Sequence, residues 1–323
     1  MSHPPSEIQL RVAAKRLIAQ DICALELRHP EGAPLPPFSA GAHIDLHLGD
    51  GLVRQYSLAG DPADTSHYLL GVLREPASRG GSLAVHDRLR EGELLGASLP
   101  RNHFPLDPRA SHHLLLAGGI GITPLLSMAE QLHREARGFE LHYCTRSATR
   151  TAFAQRLREA PWAERVHLHH DDAPPSQRLD LPGVLARAPQ SAHLCVCGPR
   201  GFIDWVLQGA REAGWEESRL HREYFAAAEG APAAGGAFEV ELGSSGRVVR
   251  VEPAQTIVQA LAAAGVDLPT SCEQGVCGTC LTRVLSGTPD HRDSYLTEEE
   301  RARNDQMLPC CSRALSPRLV LEL

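Results

Sequence analysis

Three cysteines stand within "SCEQGVCGTC", at Cys272, Cys277 and Cys280, and no other feature constrains the fold of this chain as much. Thiols this dense call for a soft metal, and the backbone carrying them has to wrap around it. A Cys-x4-Cys-x2-Cys run followed by a distant fourth cysteine is the plant-type pattern for a [2Fe–2S] cluster. A structural zinc site pairs Cys-x2-Cys with a second such pair or with histidines instead. "LPCCSR" supplies Cys310 and Cys311 farther on, and either can close the set. Neighbouring side chains of extended backbone point to opposite faces, so one of the two reaches the cluster and the other packs as a small apolar residue. Spacing alone leaves that choice open. Gly275 and Gly278 suit a loop that approaches the cluster closely and aims N–H groups at sulfur.

The nine cysteines are odd in number and clustered. That argues against a secreted disulfide framework and for a reducing compartment, so the cytoplasm is expected. A net charge of −7, with no basic stripe interleaved with aromatics, argues against a nucleic-acid partner. No apolar run is long enough to span a membrane, and "MSHPPSEIQLRV" has neither the basic region nor the apolar core of a signal peptide. The length of 323 residues allows two or three domains.

Residues 8–58 alternate partially between apolar and polar positions and are broken by "PLPPFSAGAH" and "LGDG", which predicts an antiparallel barrel or sandwich. The pattern changes near residue 111. "HHLLLAGGIGITPLLSMAEQLHREA" reads as strand, Gly-rich turn and amphipathic helix. Further strands ("FELHYCTRS", "RVHLHHDD", "AHLCVCGP") alternate with helices, which predicts a parallel sheet covered on both faces. "AAAEGAPAAGGA" reads as a linker. A hairpin, a short helix, the cysteine loop and a closing strand follow.

Gly118, Gly119 and Gly121 of "AGGIGITP" precede Thr123 and Pro124. A Gly-rich turn between a strand and a helix N-terminus suits pyrophosphate, whose charge meets free N–H groups and the helix dipole. The third glycine of the usual dinucleotide motif is missing. Cys197, Gly198 and Pro199 end a second strand of the same sheet, where ligands of open parallel sheets bind. Cys23, Cys144 and Cys195 read as buried structural thiols. In "RQYSLAG", strand alternation places Arg54 and Tyr56 on one face.

Taken in order, "FSAGAHIDL", "RQYSL", "RGGS", "SLPRNHFPLD", "LAGGIGITPLLSMA", "CGP", "SCEQGVCGTC", "DHRDSYL" and "CSRA" resemble the phthalate dioxygenase reductase family over nearly the whole chain. The resemblance implies three domains: an antiparallel flavin barrel at 1–107, an α/β nucleotide domain with a parallel sheet at 108–225, and a β-grasp-like α+β ferredoxin domain at 237–323. The linker would occupy 226–236. The implied cofactors are FMN, one [2Fe–2S] cluster and NADH.

By the same resemblance Arg54, Gln55, Tyr56 and Ser57 line the flavin, and Val72, Leu73 and Arg74 follow its edge. Gly80, Gly81 and Ser82 of "RGGS" hold the FMN phosphate, with backbone amides and a hydroxyl as donors. Phe225 stacks on the flavin ring. Thr123 lies between flavin and nicotinamide, and with Cys197 it frames the hydride transfer. Gly118, Gly119, Gly121, Thr123, Pro124, Thr145, Arg146, Cys197, Gly198 and Pro199 surround the nicotinamide nucleotide. Alignment through the Ser-Arg pair of "CCSR" makes Cys310 the fourth cluster ligand. Arg146 could meet a 2′-phosphate, but the family carries a similar Thr-Arg pair and uses NADH, which is the expectation here.

NADH delivers two electrons together and a cluster accepts one at a time, so a flavin between them explains a chain with three centres. The partner implied is a separate Rieske non-haem iron oxygenase that receives the electrons from a monomeric reductase. Two other readings compete: an electron-transfer subunit inside a larger redox complex, and a zinc-holding module with no redox role. In the His-rich "HLHHDD", adjacent strand histidines are taken as ordinary partly exposed residues rather than metal ligands.

Overall fold

The computed structural model describes residues 7–76, 80–225, 235–270 and 272–323. The chain divides into two compact units, Met1–Glu223 and Tyr224–Leu323. Most of the expected linker, residues 226–234, lies outside the described residues, as do Arg79 and Ser271.

The first unit opens with a barrel. Strands β1 (Glu7–Ala19), β2 (Ile22–Arg28), β3 (Ala42–His47), β4 (Val53–Ser57), β5 (Tyr68–Leu73) and β6 (Leu94–Ser98) form an antiparallel sheet. Its order is β4-β3-β6-β1-β2-β5. A bridge between Leu58 and Leu70 brings the last strand back to the first. The short β7 (Arg101–Asn102) extends β3. Alternate residues point inward, and Leu10, Leu25, Leu27, Ile44, Leu46 and Leu70 are fully buried. Each such side chain contributes roughly 1.5–3 kcal/mol of burial. Helix α1 (Gly81–Leu83) follows β5 and runs on into a π-helical turn at Ala84–Arg88.

A parallel sheet completes the unit. It comprises β8 (His112–Gly118), β9 (Gly138–Thr145), β10 (Val166–His170), β11 (Ala192–Gly198) and β12 (Leu220–Tyr224) in the order β10-β9-β8-β11-β12. Parallel registers tie β8 to β9, β9 to β10 and β8 to β11. Helix α2 (Ile122–Arg134) lays Leu125, Leu126, Met128, Ala129 and Leu132 on one face, against Leu115, Ala117, Leu141 and Tyr143. Helix α3 (Ala154–Glu159) adds Leu157 to that core. The side chains of Leu114, Leu116, Leu194 and Val196 alternate to the opposite face and are also buried. Helices α4 (Leu181–Arg187) and α5 (Arg200–Glu212) pack together, and α5 lies on β11. The strand order reverses direction between β8 and β11, and such a switch point opens a crevice beyond the strands' C-terminal ends.

The second unit is a mixed sheet crossed by one helix. Strands β13 (Phe238–Leu242) and β14 (Val248–Val251) form the hairpin, and α6 (Ile257–Ala263) follows. Thr256 caps α6 reciprocally with Gln259, a motif typically worth about 1 kcal/mol. Then come β15 (Thr282–Ser286), β16 (Pro289–Asp290), α7 (Glu298–Arg303), β17 (Gln306–Met307), β18 (Arg313–Ala314) and β19 (Arg318–Leu321). The main sheet runs β14-β13-β19-β15-β17, with β13 and β19 parallel, and β16 pairs with β18 apart from it. Ile257, Ala260 and Leu261 of α6 bury against Phe238, Val240, Leu319 and Leu321. The 54 residues between α6 and the last strand, 264–317, carry Cys272, Cys277, Cys280, Cys310 and Cys311, all outside the strands.

Candidate functional site: the junction of barrel and sheet, and a four-cysteine cluster

Antiparallel register sets Arg54 beside Leu46 and Tyr56 beside Ile44, so both side chains share the barrel's inner side. Gln55 and Ser57 face outward with Asp45 and His43. The Gln55 Nε2 amide is buried without a hydrogen-bond partner among the described residues. An orphaned buried donor is costly, by about 1–3 kcal/mol, and it fits a site that accepts hydrogen bonds, as a flavin ring does. Gly80 has φ +89°, in the left-handed region. A Cβ on Gly81 would come within 2.3 Å of Arg54 Cγ. The Gly-Gly pair therefore lets the Arg54 side chain lie against the backbone that opens α1. That cradle of amides and a guanidinium fits a phosphate.

Other expected flavin residues are held differently. Val72 is buried in the barrel core, and its carbonyl accepts from His86 Nε2 at 2.9 Å. Leu73 packs against the nucleotide-domain core. Arg74 pairs with Asp87 at 2.7 Å. The Ser82 hydroxyl accepts from the Glu75 amide at 3.1 Å. Phe225 follows β12 and is 39% exposed.

At the switch point the two glycine loops meet backbone to backbone. A Cβ on Gly121 would sit 2.2 Å from the Cys197 carbonyl oxygen. One on Gly198 would sit 2.9 Å from Gly118 Cα, and one on Gly118 would meet Phe202 and Pro199. Gly119 faces open space with φ +52°. Close packing between the loops thus explains Gly118, Gly121 and Gly198, while Gly119 is free of it. Thr123 is buried and donates to Ile120 O at 3.1 Å. Its methyl abuts Gly71 of β5, 2.8 Å from where a Cβ would be, so it lies where barrel and sheet join. Pro124 is buried at the start of α2. The Thr145 hydroxyl is committed internally to Ser147 O, Thr151 Oγ1 and His170 Nδ1, at 2.9–3.1 Å. Arg146 is exposed at the end of β9.

Sequence patterns gave no sign of Glu223. It lies on β12, its carboxyl hydrogen-bonds Ser57 of the barrel, and Cys197 Sγ is 4.0 Å from Glu223 Oε2. Burial pushes the carboxyl up to about 8 against the opposing pull of the Ser57 hydrogen bond. Burial, with Glu223 adding to it, also holds the Cys197 thiol well above its usual range. Cys197 is thus a protonated wall of the crevice and not a nucleophile. A lone glutamate on an edge strand has no spacing signature; its one clue is its place two residues before Phe225.

In the second unit Cys272, Cys277, Cys280 and Cys310 are all buried. The thiols of Cys277 and Cys310 donate to Cys272 and pull its pKa down, and Cys310 does the same to Cys280. Backbone amides also point at sulfur: Gln274 N lies 3.3 Å from Cys272 Sγ and Thr279 N 3.5 Å from Cys277 Sγ. Gly275 and Gly278 both have φ +71°. A Cβ on the first would strike Cys311 Sγ at 2.3 Å, and one on the second the Tyr295 ring at 2.4 Å. Four converging thiols with amide donors fit a [2Fe–2S] cluster. The Cys311 sulfur donates to the Leu308 carbonyl at 3.7 Å. "DHRDSYL" walls the loop: Asp293 accepts from the amides of Tyr295 and Leu296, at 3.1 and 2.8 Å.

Residues 240–315 match the family model described as a 2Fe-2S iron-sulfur cluster binding domain. Residues 96–220 match that of the dimethylamine monooxygenase subunit DmmA-like N-terminal domain. The chain is 53% identical to a vanillate O-demethylase oxidoreductase of Pseudomonas sp. (strain HR199 / DSM 7063), over 98% of this chain and 100% of that one. It is similar to the solved phthalate dioxygenase reductase, described as a modular structure for electron transfer from pyridine nucleotides to [2Fe–2S]. That match has a TM-score of 0.75, 40% identity and 98% coverage of both chains. It is also similar to part of an intact type IV self-sufficient cytochrome P450 monooxygenase, with a TM-score of 0.87 and 40% identity, over 98% of this chain and 41% of that one. Among the described residues no helix is long and apolar enough to cross a membrane.

Proposed function

The chain belongs to the family of the vanillate O-demethylase oxidoreductases and phthalate dioxygenase reductases, and from that premise we propose that it carries electrons from NADH through FMN and a [2Fe–2S] cluster to a separate Rieske non-haem iron oxygenase. The observation that carries this reading is the meeting of Ser57 and Cys197 on Glu223. It joins the barrel to the nucleotide crevice along a common wall, and hydride transfer needs two rings held in direct contact beside such a wall.

Flavin, when bound, supplies the exchange between a two-electron hydride and single electrons. The chain's own residues supply the binding. Gly80, Gly81 and Arg54 cradle the phosphate, while Gln55 Nε2 donates to the ring and the Ser57 hydroxyl is engaged by Glu223. Thr123 and Cys197 narrow the approach of the nicotinamide. Glu223 holds a proton on its carboxyl at neutral pH and keeps a negative charge away from the ring. Cys272, Cys277, Cys280 and Cys310 hold the cluster, and the amides of Gln274 and Thr279 stabilise negative charge on their sulfurs.

The purified, cofactor-loaded chain tests this directly. NADH added without oxygen should bleach both flavin and ferredoxin-type absorption, and the reduced protein should drive turnover of a Rieske oxygenase. Failure of NADH to bleach either band would overturn the reading. The similarity to a self-sufficient P450 supports a second acceptor, a haem monooxygenase. The full-length match to the vanillate O-demethylase oxidoreductase favours the Rieske partner.

A further inference from the structure

Away from the crevice, Glu140, His142, His167 and His169 gather on one face of the sheet's outer strands. β9 supplies Glu140 and His142, and β10 supplies His167 and His169. Each pair is two residues apart and so faces one side, and the register sets His167 beside His142.

A hydrogen-bond relay fixes the protons. His169 Nδ1 lies 3.3 Å from the Gln177 carbonyl oxygen. A carbonyl only accepts, so Nδ1 carries the proton and neutral His169 offers Nε2 as an acceptor. His142 Nδ1 is 3.0 Å from that Nε2 and donates to it. His142 Nε2 is therefore a bare lone pair, and it faces Glu140 Oε2 at 3.5 Å. Two acceptors confront each other, and a cation between them resolves the conflict.

We propose that Glu140, His142 and His167 bind a divalent transition-metal ion of the zinc class, with His169 orienting His142 from behind. One ligand atom from each of the three lies within 4.8 Å of the others. Tetrahedral zinc with ligands at about 2.1 Å places them about 3.4 Å apart, close to the 3.5 Å between His142 and Glu140. A zinc-bound histidine characteristically donates its other N–H to a fixed partner, as His142 does to His169. Glu140 and His167 are exposed, which leaves an entry path and a position for water. Among the described residues no lysine or arginine pairs with Glu140. The contrast is Asp107, His193 and His221, which also bring ligand atoms together. There Arg109 engages both Asp107 oxygens, at 3.0 and 2.7 Å, and excludes a cation. The bound ion would clamp the edge strand β10 to β9.

Calorimetric titration of zinc chloride into the full-length, cofactor-loaded protein tests this, with Glu140→Gln and His167→Ala as variants. Both positions are exposed, so the fold and NADH-dependent reduction of ferricyanide should persist. The wild type should bind zinc, and each variant should bind it roughly tenfold or more weakly. Bound zinc should raise the thermal midpoint in the wild type alone. With Cu²⁺ as the probe, electron paramagnetic resonance of the oxidised protein should show imidazole nitrogen coupling that His167→Ala reduces. No zinc binding to the wild type, or unchanged binding in both variants (zinc on the free thiols), would overturn the proposal.

Discussion

The Ser57 hydroxyl, on a barrel strand, hydrogen-bonds the carboxyl of Glu223, on the edge strand of the parallel sheet. Glu223→Gln keeps the shape and removes the titration. Flavin reduction by NADH should persist at neutral pH, where the wild-type carboxyl is also uncharged, and the wild-type break in rate near pH 8 should vanish from the variant's stopped-flow profile. Stability should shift as well. The folded carboxyl sits above its ordinary value, so its contribution is complete below about pH 4.5 and is lost as pH rises toward 8. Urea titrations across that range should decline less steeply in Glu223→Gln.

Cys310→Ser should abolish the [2Fe–2S] absorption and its reduced-state paramagnetic signal. Cys311→Ser should retain both, because the Cys311 thiol is turned to the Leu308 carbonyl. A reversed pattern in the visible spectra would transfer the fourth ligand to Cys311.

Gly81→Ala should weaken FMN binding by roughly tenfold, since the new methyl displaces Arg54. Its thermal midpoint without flavin should change little. Fluorescence titration of flavin separates the two effects.

His113 is fully buried, and neither ring nitrogen has a hydrogen-bond partner among the described residues. Burial lowers its pKa to about 3. It stays neutral when folded and takes up a proton on unfolding below about pH 6.5. Its stabilising share is thus complete above that pH and is lost as pH falls, at about 1.4 kcal/mol per pH unit. His113→Leu should flatten the acid limb of the stability profile, measured by urea titration from pH 7 to pH 4.

What could be read from the chain depended on whether chemistry left a pattern along it. Cys272, Cys277 and Cys280 did, because cluster ligation fixes their spacing. The barrel and the parallel sheet did, through alternation and through helix-length apolar periods. The glycines of "AGGIGITP" were legible as a turn but not in their division of labour. Gly118 and Gly121 answer to the neighbouring Cys197–Pro199 loop, a long-range packing requirement invisible in one strand–turn–helix. Thr145 stands at a strand end of the sheet, and its hydroxyl bonds Ser147 and Thr151 of its own loop and His170 of β10, partners that no local pattern announced. Glu223 and the His142 relay were illegible because their partners come from other strands, and only the register brings them together.

The seam between Gly121 and the Cys197 carbonyl has a bearing on redesign. The crevice floor is backbone against backbone, with no side chain to trim and no room for one to grow. Efforts to retune coenzyme preference have no purchase there. They are confined to the rim, where Gly119 faces open space and Arg146 stands exposed, so altered specificity should come from changed charge at the edge rather than from a reshaped cavity.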